Sequence, residues 1–192
     1  TTAYRQRIGI TDAATRQLLA AVALEDGAAR AAMDTLAELA EDPESQNVAG
    51  LVLLSSAQLR TDAHAAARAT LARIAGSDSA NDARQARHLL AILDRTGDMA
   101  PAVRRDLLLA LDDLRFGRVD AAAARVEAAV AAAPSAPETR LVAADVRLSR
   151  GETDAARATL RDLLAEDPGE VRALQRLIRL DLAAGDWAEI EG

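Results

Sequence analysis

In the second half of this chain, glycine and proline keep a fixed interval. Gly117, Gly151 and Gly185 are spaced by 34 and 34, Pro134 and Pro168 by 34, and Gly117 and Gly151 each precede their proline by half that interval. Glycine accepts the positive φ that closes a helix, and proline stops a helix because it lacks an amide proton. Between glycine and proline run "RVDAAAARVEAAVAAAP" and "ETDAARATLRDLLAEDP"; between proline and the next glycine run "SAPETRLVAADVRLSRG" and "GEVRALQRLIRLDLAAG". Each phrase is long enough for one helix. The period therefore predicts a repeated unit of two antiparallel helices joined by a tight turn. With 48 Ala and 27 Leu against one Phe, one Tyr and one Trp, the chain has the composition of helices and not of strands.

These units resemble the tetratricopeptide repeat, whose pattern sets small or apolar residues at positions 8, 20, 24 and 27, Gly at 15 and Pro at 32. In the unit 137–170 these are Ala144, Gly151, Ala156, Leu160, Leu163 and Pro168; in 103–136 they are Ala110, Gly117, Ala122, Val126, Ala129 and Pro134. The resemblance implies an all-α fold of about ten helices, stacked as helix pairs in a right-handed solenoid, and a non-catalytic scaffold that holds a protein or peptide on its concave surface. The family's bulky residues at positions 4 and 11 are replaced by Asp106 and Asp113, Arg140 and Arg147, Leu174 and Asp181. Leu114, Leu148 and Leu182 recur one place further on, which predicts a first helix rotated by part of a turn.

The first half carries the same rhythm more loosely. Gly27, Asp62 and Gly97 mark turns at equal spacings of 35, Pro43 ends a helical phrase, and the interval from Gly97 to Gly117 is only 20. So short an interval holds one helix and not two, and the alternation of first and second helices slips by half a unit. That slip accounts for the phrase "AARATL" standing twice, at 66–71 and 155–160, with an offset that is no multiple of the period. It predicts degenerate repeats over 1–99, a joint near 95–101, and a second array over 100–192 that starts at Pro101 and contains repeats 103–136, 137–170 and a truncated 171–192; the alternative is one unbroken superhelix that absorbs the slip by local bending.

Chemistry has little material here. The chain lacks Cys, its two histidines, His64 and His88, have no second ligand at metal spacing, and no phosphate loop or nucleophile elbow occurs. The acids Asp112 and Asp113 read as solvated helix residues. No enzyme, metal or cofactor is expected. A net charge of −7 argues against nucleic acid, and no apolar run reaches membrane-spanning length. All 23 basic residues are Arg, which reads as the bias of a GC-rich bacterial genome. The chain stops at "AAGDWAEIEG", where a helix begins, so it reads as a piece of something longer; bacterial cytoplasm and periplasm are both compatible.

Arg172, Arg176 and Arg179 fall at i, i+4 and i+7, a spacing that lines three guanidinium groups on one helix face beside Gln175. Such a face suits an acidic peptide or a chain terminus, or is a solvated surface balanced by Glu166, Asp167 and Glu170. In chaperone-binding tetratricopeptide proteins basic residues at positions 2 and 6 of the third repeat belong to a carboxylate clamp; Arg172 and Arg176 match them, whereas Leu107, Leu111 and Val142 stand where the rest of the clamp is polar. Leu107 and Leu111 lie in "DLLLALDDL", a phrase with more leucine than one core stripe needs; the excess packs against helix 82–95 at the joint or lines an apolar groove for an amphipathic partner. Leu141 and Asp145 complete the candidate set. Self-association is compatible with this pattern, and the alternative function is a structural part of a bacterial envelope, secretion or polysaccharide-export complex.

Overall fold

The structure, a computed structural model, describes residues 13–38 and 47–184. The described residues form helices and turns and no strand: α1 Ala13–Glu25, α2 Ala29–Thr35, α3 Val48–Arg60, α4 His64–Ala75, α5 Ala80–Arg95, α6 Pro101–Arg115, α7 Val119–Ala132, α8 Pro137–Ser149, α9 Thr153–Glu166 and α10 Val171–Ala184. The chain divides into two compact units, one up to Asp94 and one from Arg95. In the first, α1 packs on α2 and α3, and α3 on α4; Arg68 pairs with Asp94, and the Arg87 guanidinium donates to the Ala75 carbonyl at 3.0 Å, tying α4 to α5. In the second, α6 packs on α7, α7 on α8, α8 on α9 and α9 on α10.

Four turns between paired helices are built alike. Gly27, Gly117 and Gly151 take φ of +76°, +72° and +77°, and Asp62 takes the same left-handed place at +57°. At Gly151 the amide donates to the Leu148 carbonyl at 3.0 Å and the next amide, of Glu152, to the Arg147 carbonyl at 2.9 Å. The same two bonds recur at Gly27, Asp62 and Gly117, closing carbonyls that a helix end leaves open. Gly97, expected as a turn mark of this kind, does not have positive φ; no second helix of a pair follows it, so nothing requires the left-handed closure there. Gly185 and Pro43 lie outside the described residues.

A Cβ added at Gly151 would meet nothing within 4 Å, so only backbone strain opposes a side chain there. Gly151→Val should therefore destabilise the protein by about 1–2 kcal/mol, read as a lower urea midpoint at unchanged slope. An unchanged midpoint would remove the turn assignment.

The links from a second helix to the next first helix also repeat. The Ala133 amide donates to the Ala129 carbonyl and the Ala136 amide to the Ala133 carbonyl; one repeat later Asp167 and Glu170 make the equivalent bonds to Leu163 and Asp167. Pro101 and Pro137 sit in the first turns of α6 and α8, where a missing amide proton costs nothing.

The core follows the repeat positions. Ala110, Ala122, Ala129, Ala144, Ala156 and Leu160 are fully buried, with Val126 and Leu163 nearly so. The rotation of the first helix expected from Leu114 and Leu148 is therefore not found, because every small or apolar repeat position in 103–163 faces inward. Polar residues at position 11 are accommodated instead by side-chain bonds to second helices. Asp113 accepts from Arg118 at 2.9 Å and from Arg125 on α7 at 2.8 Å, Arg147 pairs with Thr159 on α9, and Asp181 with Arg157 on α9 at 3.0 Å.

Candidate functional site

The candidate face begins with the way α10 is seated. Ala173 and Leu177 turn inward and join Leu141, Ala144, Ala156, Leu160 and Leu163 in one apolar cluster. With that stripe fixed, the helical period carries Arg172 and Arg176 toward α8 and turns Gln175 and Arg179 out to solvent.

Arg172 and Arg176 meet carboxylates of their own chain. Arg172 donates from Nε to Glu170 Oε1 at 2.7 Å and from Nη2 to Glu170 Oε2 at 2.6 Å, and its third nitrogen pairs with Glu138 on α8. Arg176 grips Asp145 on α8 with two parallel bonds, Nε to Oδ1 at 2.8 Å and Nη2 to Oδ2 at 2.7 Å, and Nη1 donates to the Arg172 carbonyl at 3.3 Å. Arg95, the first residue of this unit, lies 3.1 Å from Glu138 Oε1. Three guanidinium groups and three carboxylates thus balance. Bidentate pairs of this kind fix geometry as well as charge.

The titration of the cluster follows from these contacts. Hydrogen bonds from Arg172 hold the Glu170 carboxyl below its ordinary 4.5 despite some burial. The pair's contribution to stability is therefore complete above that unfolded value and drains away as pH falls through the lower folded value. The hydrogen bonds that Arg172 donates to Glu170, opposed by burial and reinforced by Glu138, raise its guanidinium. Burial pulls the Arg176 guanidinium down, and its bonds to and attraction by Asp145 more than offset this, leaving it raised. All these arginines stay charged.

The sequence candidates separate on this geometry. Arg172, Arg176 and Asp145 form one cluster, and Gln175 and Arg179 lie beside it on the open face of α10. Leu107, Leu111 and Leu141 do not line a groove: they are 0, 7 and 2 % exposed, because the side of a first helix they occupy is the side on which the core packs. Asp112 and Asp113 are likewise buried, not solvated, at 0 and 1 % exposure, with Arg115 and Arg118 near Asp112 and Arg118 and Arg125 on Asp113. Glu138 escaped the sequence reading. A signal for it existed, since Glu138 and Arg172 are separated by 34, one full period, and so occupy the same place in successive repeats.

Among the described residues no group of three or more His, Cys, Asp or Glu is arranged to hold a metal ion, and no helix is long and apolar enough to cross a membrane. The left-handed turns, the regular translation from repeat to repeat and the buried small residues define an α-helical repeat protein in which polar side chains tie one repeat to the next. The family model described as tetratricopeptide repeat matches residues 113–180 and 148–189. Residues 113–189 are thus tetratricopeptide repeats, and such repeats are in general protein-interaction modules. No curated protein and no solved structure was found to match the chain.

Proposed function

We propose that this protein is a non-catalytic scaffold that holds a partner protein or peptide on the concave surface made by its first helices, α10 among them. The observation that carries the reading is the contrast along α10. Arg172 and Arg176 are locked to Glu138, Glu170 and Asp145, while Gln175 and Arg179 are exposed on the same helix. The locked pair acts as a frame that presents the exposed residues in a fixed geometry, so a partner loses little ordering entropy there. An acidic side chain on the partner would meet Arg179, since reaching Arg172 or Arg176 would mean displacing a two-pronged internal carboxylate.

The test is capture from an extract by the immobilised protein, quantified by mass spectrometry, against the variant Arg179→Glu combined with Gln175→Ala. The expected result is loss of a defined set of captured proteins at about tenfold or more, since a central exposed arginine carries on the order of 1–2 kcal/mol. Identical capture by both proteins would refute this surface.

A further inference from the structure

We infer that a cavity between α7, α8 and the α8–α9 turn binds a small aliphatic carboxylate, with the carboxylate on Arg147 and the hydrocarbon chain between the two helices. The cavity measures about 350 Å³, and none of its lining residues belongs to the α10 face. Its walls are Ala123, Val126 and Val130 of α7 with Ala143 and Val146 of α8. Apolar walls and a few polar groups at the edge are what a small-molecule site requires.

The repeat explains why space is left at this place. One repeat further on, the positions of Ala123, Val130, Ala143 and Val146 are taken by Arg157, Leu164, Leu177 and Leu180. There Arg157 reaches Asp181 at 3.0 Å, Leu177 is buried in the apolar cluster, and Leu164 and Leu180 pack against it. The same joint between a second helix and the next first helix is filled in one repeat and left open by shorter side chains in the one before. The lining of such a space forgoes dispersion contacts, which a hydrocarbon chain restores.

Charge selects the other end of the ligand. Repeat position 11 is charged three times running, and two of the three charges are neutralised inside the fold. Asp113 is met by Arg118 at 2.9 Å and Arg125 at 2.8 Å, and Asp181 by Arg157. For Arg147 the equivalent of Arg125 is Thr159, and the equivalent of Arg157 is Ala123. Among the described residues Arg147 therefore bonds to a neutral side chain: its Nη1 donates to the Thr159 hydroxyl, whose own proton goes to the Ala155 carbonyl at 3.0 Å. Its Nε and Nη2 are the parallel donors that a carboxylate takes. Arg150 and Glu152, 3.2 Å apart at the rim, balance one another, and Glu127 is exposed, where water screens it. The half-buried Arg147 is the charge that a ligand in this cavity meets. The backbone groups of α7 and α8 are spent within their helices, so the walls hold no partner for a second polar group, and a peptide backbone is disfavoured there.

The test is a titration of the isotope-labelled protein with sodium octanoate, followed by the amide signals in nuclear magnetic resonance. Signals within 123–152 should move to saturation with a dissociation constant on the order of 0.1–1 mM, the range of a ligand with about ten non-hydrogen atoms. Octan-1-ol, the same chain without the charge, should bind about tenfold more weakly, and Arg147→Gln should bring octanoate down by a similar factor. Ala143→Leu combined with Val146→Leu, which copies the filled joint of the next repeat, should abolish binding. Acetyl-alanyl-leucine with a free carboxylate should bind more weakly than octanoate. Absence of saturable shifts up to about 10 mM would overturn the inference. So would equal affinity of octanoate for the Arg147→Gln protein or the filled variant, or octanol bound as tightly as octanoate. Tighter binding of the dipeptide would overturn it too, by assigning the cavity to a chain terminus.

Discussion

Arg176→Ala is expected to lower stability by about 2 kcal/mol, and Asp145→Ala by a similar amount. The Arg176 side chain is only 15 % exposed and Asp145 20 %, and two charge-assisted bonds of 2.7–2.8 Å join them across α8 and α10. Removing either member leaves the other half-buried without its main partner, which in a fully dry interior would cost about 3–5 kcal/mol; the remaining solvent screens part of that. The double variant should lose less than the sum, with a coupling of about 1 kcal/mol or more. Thermal unfolding of the four proteins gives the coupling directly, and a value near zero would mean the pair is held by solvent as much as by its geometry.

Leu141→Ala should cost more, about 3 kcal/mol, because it removes most of a side chain that is 2 % exposed within the cluster of α8, α9 and α10. The cluster around it is made largely of alanines and leucines on rigid helices, which collapse poorly into a void. Arg179→Ala, on the open face, should change stability by no more than about 0.5 kcal/mol. The two variants separate the part of α8 and α10 that builds the fold from the part left free to bind. A Leu141→Ala protein as stable as its parent would return that leucine to the list of surface candidates.

Much of this architecture could be read before any coordinates. Gly117, Gly151 and Pro134 announce themselves because few residues tolerate their conformations, and Asp62 could be placed by spacing since Asp is among the few residues that enter the left-handed region. Small residues at repeat positions 8 and 20 are legible for the same reason, as only a small side chain fits between close helices. What stayed hidden was facing. Leu107 and Leu111 belong to an unbroken leucine run that carries no contrast between inner and outer sides, so their burial could not be inferred from pattern alone. Asp113 looked solvated because its partners Arg118 and Arg125 come from beyond a turn, and Arg176 looked available because Asp145 is distant in sequence, on the preceding first helix.

The pairing of Glu138 with Arg172 bears on how such a chain can lengthen. At the same place one repeat earlier stands Arg104, so successive repeats read positive, negative, positive at this position. A tandem copy of 137–170 alone would set one glutamate beside its own duplicate, and two carboxylates would then face each other where a carboxylate and a guanidinium meet now. Copying two consecutive repeats keeps the signs alternating. A duplicated single repeat would thus carry a like-charge cost at this position that a duplicated pair of repeats avoids.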